Sequence, residues 1–173
     1  MSYARILIAG IGNIFLGDDA FGVEVASELL RRSLPPEVEV RDFGIRSYDL
    51  AFAIADGYEI LILVDATQRG QSPGTLYLIE PDCEQLQALQ SGQVDAHRLD
   101  PVRVLQLAES FGARPTRLYL VGCEPGDLGG DDGRVGLTEP VQAAVPQAIA
   151  RIETLVGELM GRELKTNRGF ASV

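Results

Sequence analysis

Four carboxylates and one imidazole in this sequence have the type and the placing to do chemistry. Asp18 and Asp19 close a glycine-rich turn, "GIGNIFLGDD", which follows the apolar run "ILIA". Asp65 ends the apolar run "EILILVDA", and Asp42 ends the shorter run "VEVRD". The chain's one histidine, His97, stands in "VDAHRLD", just ahead of a helical pattern. Carboxylate oxygens and an imidazole nitrogen from separate loops can ligate a divalent ion, and this donor set suits nickel, zinc, manganese or iron(II). Three ligands, Asp19, Asp65 and His97, leave coordination positions for groups from a substrate. Their spacing matches no local metal motif, and a helix cap plus a solvated histidine is the plainer account of the same residues.

A strand that ends in glycines more often announces a phosphate cradle. The dinucleotide fingerprint needs a third glycine where this chain has Phe15, and no Gly-Lys-Ser/Thr follows. Charge argues the same way. A helix N-terminus favours an anion by roughly 0.3–1 kcal/mol. Two unit charges ~4 Å apart repel by about 1 kcal/mol in water and ~4 kcal/mol near a protein surface. The Asp18/Asp19 pair therefore cancels the attraction. Asp18 suits a cap on the following helix, which makes Asp18→Asn a mild change. Asp19 then projects from the first turn, beside the strand end.

These residues need a scaffold that brings separate loops to one edge. Tyr3 to Ala9 reads as a buried strand, and "DAFGVEVASELLRRS" has apolar residues at helical spacing. Val38 to Gly44 is a short strand. Ser47 can cap a helix that stops at Gly57. Glu59 to Ala66 is apolar on both faces, as a central parallel strand should be. Gly74 to Glu80 and Arg117 to Pro125 supply further strands, and Asp100 to Gly112 a helix with Pro101 in its first turn. A final helix runs Leu137 to Gly161, with Thr138 as cap and Pro146 as a kink. Strands alternating with helices predict an α/β three-layer sandwich. Its twisted, mostly parallel sheet has about five strands, with helices on both faces. Sites in such sheets lie at the carboxyl ends of strands. Residues 1–161 form one domain, and 162–173 a flexible C-terminal tail. The glycine-rich loop Glu124 to Arg134 is expected to be mobile.

Composition narrows the class. The 173 residues suit one domain with a real core. The formal net charge of −10 argues against nucleic acids and anionic membranes as partners. No apolar run approaches the ~20 residues of a membrane helix, and the N-terminus enters a strand with no room for a signal peptide. Cys83 and Cys123 form no CxxC, which suits a reduced, cytoplasmic setting.

Taken together, "GIGNIFLGDDAFG", "DFGIRSYDL", "LVDA", "DAHRLD", "LVGCEP" and "GLTEP" resemble the hydrogenase maturation endopeptidases. Enzymes of that family remove a short C-terminal tail from the large subunit of nickel–iron hydrogenases after nickel insertion. The resemblance covers nearly the whole chain and implies the same sandwiched sheet. It places Asp19, Asp65 and His97 at the positions that bind a metal standing in for the substrate's nickel. It also places Asp42 in a stretch that commonly reads Asp-Gly-Gly-Thr in the family and here reads Asp42-Phe43-Gly44-Ile45. The resemblance thus implies no cofactor of the protein's own, with nickel supplied by a nickel-loaded hydrogenase large-subunit precursor.

Peptide hydrolysis needs a nucleophile, a proton donor for the leaving amine and a stabilised oxyanion. No GxSxG is present, His97 is assigned to the metal, and Cys123 lacks a free histidine to activate it. Water remains, activated by a carboxylate or by the metal. Asp42 is the candidate carboxylate to activate it or to orient the peptide, and the expected class is an aspartyl-type endopeptidase with Asp19 and Asp42 as its catalytic residues. Two other classes fit the same residues: a non-catalytic nickel-docking or carrier module, and a nucleotide-binding flavodoxin-like domain.

Overall fold

The computed structural model describes residues 4–81, 101–113 and 115–168. His97 and Cys83 lie outside them. In chain order the elements are β1 (Ile6–Ile11), a 3₁₀ turn (Gly17–Ala20), α1 (Phe21–Leu29), β2 (Val38–Gly44) and α2 (Ser47–Ala55). Then follow β3 (Ile60–Ala66), β4 (Leu76–Ile79), α3 (Pro101–Ser110), β5 (Arg117–Cys123) and α4 (Glu139–Arg168). The sheet has strand order β2-β1-β3-β5-β4, with every neighbour pair parallel except β4 against β5. β3 sits at the centre, as its apolar sequence requires.

The alternation of side chains along β1 and β3 builds two cores. Ile6, Ile8, Ile60, Ile62 and Val64 pack with Phe21, Val25 and Leu29 of α1 and with Val141, Ile149 and Ile152 of α4. Leu7, Ala9, Ile11, Leu61 and Leu63 face the other way, against Leu50 and Ile54 of α2 and Val104 and Ala108 of α3. Each sheet face is thus roofed by a pair of helices, which is the expected three-layer sandwich. Among the described residues no helix is long and apolar enough to cross a membrane.

Three local expectations need correction. α4 does not stop at Gly161 but continues as helix through Arg168. Among the described residues, a Cβ built on Gly161 would meet no atom within 4 Å apart from its own helix backbone, and a mid-helix glycine costs only about 1 kcal/mol. Ser47 makes no capping hydrogen bond to α2; Arg46 holds that turn instead, donating to Phe43 O and Asp42 O. Asp18 makes no capping bond to the 3₁₀ turn or to α1.

Candidate active site

The glycines of the opening turn serve close packing. A Cβ on Gly10 would lie 2.4 Å from Gly22 O, and one on Gly22 would lie 2.0 Å from Val64 O and 2.3 Å from Ile11 O. Only glycine at both positions lets α1 settle onto the ends of β1 and β3. Gly12 adopts φ +144°, and a Cβ there would lie 1.8 Å from Asp19 O. The chain therefore folds back tightly on itself, and the 3₁₀ turn lies against the end of β3.

That fold-back delivers Asp19. Its side chain is 5% exposed, and its Oδ2 accepts the Asn13 N–H at 2.9 Å. Asp65 lies one residue beyond Val64, at the carboxyl end of β3 and opposite Gly122 of β5. Asp42 stands opposite Gly10 near the end of β2, where the register slips by one residue. Its Oδ1 accepts the Gly44 N–H at 2.8 Å, and Gly44 takes φ +54° to allow it. The three carboxylates thus come from β2, β3 and the turn after β1, all at one edge of the sheet. An open groove of about 300 Å³ runs there, lined by Gly12 to Phe15 on one side and Asp42 to Arg46 on the other. Ile14, Phe15 and Ile45 are exposed on its rim. Phe43, near the end of β2, is 3% exposed: it contributes to the groove wall and packs into the core on the α2 side of the sheet. Among the described residues no group of three or more His, Cys, Asp and Glu converges on a metal position. The third expected ligand, His97, lies outside those residues.

Asp18 has a role that the sequence did not disclose. It is fully buried, and its carboxylate accepts four hydrogen bonds. Oδ2 takes the Gly126 and Asp127 N–H groups and the Thr138 hydroxyl; Oδ1 takes the Thr138 N–H at 2.7 Å. Burial alone would raise its pKa, but these donors hold it below the ordinary aspartate value. The loop expected to be mobile is therefore fastened to the turn, further by Gly17 N–H to Arg134 O and Arg134 N–H to Phe15 O, both 2.8 Å. The N-terminus of α4, where an external anion would bind, is occupied by the protein's own carboxylate.

Glu124 is a third buried carboxylate, 5% exposed like Asp19. It accepts the Tyr77 hydroxyl at 2.6 Å and the Arg69 and Gly70 N–H groups at 2.8 and 3.1 Å. Burial pushes its pKa up, and these hydrogen bonds outweigh that, leaving it below the ordinary value. An acid directly after an apolar strand is the signal that marked Asp65, and it marks Glu124 equally. Asp18 offered no local signal, because its partners lie more than a hundred residues away. Cys123 is buried beside Asp18 and Glu124; burial first, then those charges, push its pKa up to about 12. Its thiol is no nucleophile at neutral pH.

A family model described as HycI hydrogenase maturation protease matches residues 23–155. The chain belongs to the hydrogenase maturation proteases. The hydrogenase 2 maturation protease of Escherichia coli strain K12 is 31% identical to it over 149 residues, 86% of this chain and 88% of that one. The hydrogenase expression/formation protein HupD of Rhizobium leguminosarum bv. viciae is 34% identical over 146 residues, 84% of this chain and 70% of that one. The solved structure of the hydrogenase maturating endopeptidase HybD from E. coli has a TM-score of 0.76 at 32% identity, covering 89% of this chain and 93% of that one. The protease is accordingly a hydrolase with an endopeptidase role in hydrogenase maturation.

Proposed function

We propose that this protease removes the C-terminal peptide of a nickel–iron hydrogenase large-subunit precursor once nickel is in place, and does so in the cytoplasm. The nickel belongs to the substrate. Held by the large subunit, it docks on Asp19, Asp65 and His97, and the docking sets the scissile bond in the groove beside Asp42. The observation that carries the reading is the placing of Asp19, Asp65 and Asp42 at one sheet edge, two at strand ends and one on a turn packed against β3.

Each residue then has a distinct task. Asp19 and Asp65 offer charge to a divalent ion, and His97 a neutral nitrogen. Asp42, steadied by Gly44, takes a proton from water as the water oxygen bonds to the peptide carbonyl carbon. The C–N bond breaks, and that proton passes to the leaving amine. An enzyme that relies on the substrate's metal is inert until that substrate carries nickel, so it acts as a checkpoint on insertion. Incubation with a nickel-loaded precursor, followed by mass measurement of the large subunit, tests this. Loss of the C-terminal peptide supports it. Nickel uptake by the protease with an intact precursor would favour a carrier module instead.

A further inference from the structure

Asp19 hangs from a turn of only four residues, Gly17–Ala20. So short a helix cannot satisfy its first N–H groups internally. The loop after β5 satisfies them: Gly17 N–H donates to Arg134 O and Asp18 N–H to Asp127 O, both at 2.8 Å. The approach is close enough that a Cβ on Gly17 would lie 2.5 Å from Asp127 O. The loop is in turn held by the Asp18 carboxylate, at both of its ends, through Gly126, Asp127 and Thr138. Backbone and side chain of one residue thus tie the turn to the loop in both directions.

We propose that Asp18 is a positioning residue for nickel docking: its buried carboxylate locks the loop from Gly126 to Thr138 onto the turn, and so sets the direction of Asp19. This rests on the reading of Asp19 as a nickel contact. Groups that orient a metal ligand typically carry about 10–100-fold in metal affinity when removed. The neighbouring acids of the loop give a control. Asp127 also braces the loop with its side chain, accepting from Gly129 N–H and Arg134 at 2.8 Å, but that carboxylate does not touch the turn.

The test is calorimetric titration of nickel(II) into wild type, Asp18→Asn, Asp127→Ala and Asp19→Asn, at a temperature where circular dichroism shows each one folded. Asp18→Asn is expected to lose about tenfold or more in nickel affinity. Asp127→Ala is expected to melt earlier yet bind nickel as wild type does. Wild-type affinity in folded Asp18→Asn, with binding lost in Asp19→Asn, would overturn the positioning role and leave the nickel site standing. Equal behaviour of wild type and Asp19→Asn would overturn the nickel reading itself. If Asp18→Asn does not fold, Thr138→Val decides. A reduced affinity supports the role, and an unchanged one overturns it.

Discussion

Asp18→Asn keeps the shape of a buried side chain while changing one acceptor and its charge, and its cost can be worked from the four bonds. With the amide oxygen at the Oδ2 position, the bonds from Gly126, Asp127 and the Thr138 hydroxyl survive as neutral ones. Hydrogen bonds to a charged group contribute ~1.5–3 kcal/mol and neutral ones ~0.5–1.5, so three weakened bonds lose about 3 kcal/mol. The amide NH₂ then faces the Thr138 N–H, which Oδ1 had accepted at 2.7 Å. Two buried donors without partners cost another ~1–3 kcal/mol each. Relief of the desolvation of a buried charge returns several kcal/mol. The balance is a loss of about 3 kcal/mol, or roughly 10 °C in melting temperature for a chain of this size. This replaces the mild effect that a helix cap would give. The assay is thermal melting followed by far-ultraviolet circular dichroism. A melting temperature within about 2 °C of wild type would refute the reasoning, because an unpaired buried donor cannot be that cheap.

Asp19→Asn, Asp65→Asn and His97→Ala should each abolish cleavage of a nickel-loaded precursor while melting close to wild type; activity in all three would remove the metal-docking site. Cys123→Ala should retain cleavage, since a thiol with a pKa of about 12 takes no part; a dead but folded variant would return the cysteine to the mechanism. Glu124 has a folded-state pKa below its ordinary 4.5, so its contribution is present above that value and lost as the pH falls through the lowered one. Denaturant midpoints measured between about pH 7 and pH 3 should therefore fall less steeply in Glu124→Gln than in wild type. Parallel curves would show that Glu124 is not linked to folding.

The sheet was legible because β1 and β3 are apolar on both faces, a pattern that only a doubly covered parallel strand explains. Asp65 was legible as a carboxylate directly after an apolar run, and Asp42 as one near the end of a short strand pattern. The split of tasks between Asp18 and Asp19 was legible only in part. Adjacent residues on a helix point about 100° apart, so different roles followed. The nature of the Asp18 role did not follow, because Gly126, Asp127 and Thr138 reach it only through the fold. The end of α4 was misread for a different reason: glycine stops a helix when a left-handed turn is required, and at Gly161 the helix simply continues.

The central claim is that cleavage waits for nickel in the substrate. The direct measurement is the cleavage rate of matched nickel-loaded and nickel-free large-subunit precursors by the chelator-treated enzyme, followed by mass. The account predicts loss of the C-terminal peptide from the loaded precursor alone, with no metal added to the protease. Cleavage of the nickel-free precursor at the full rate would contradict it.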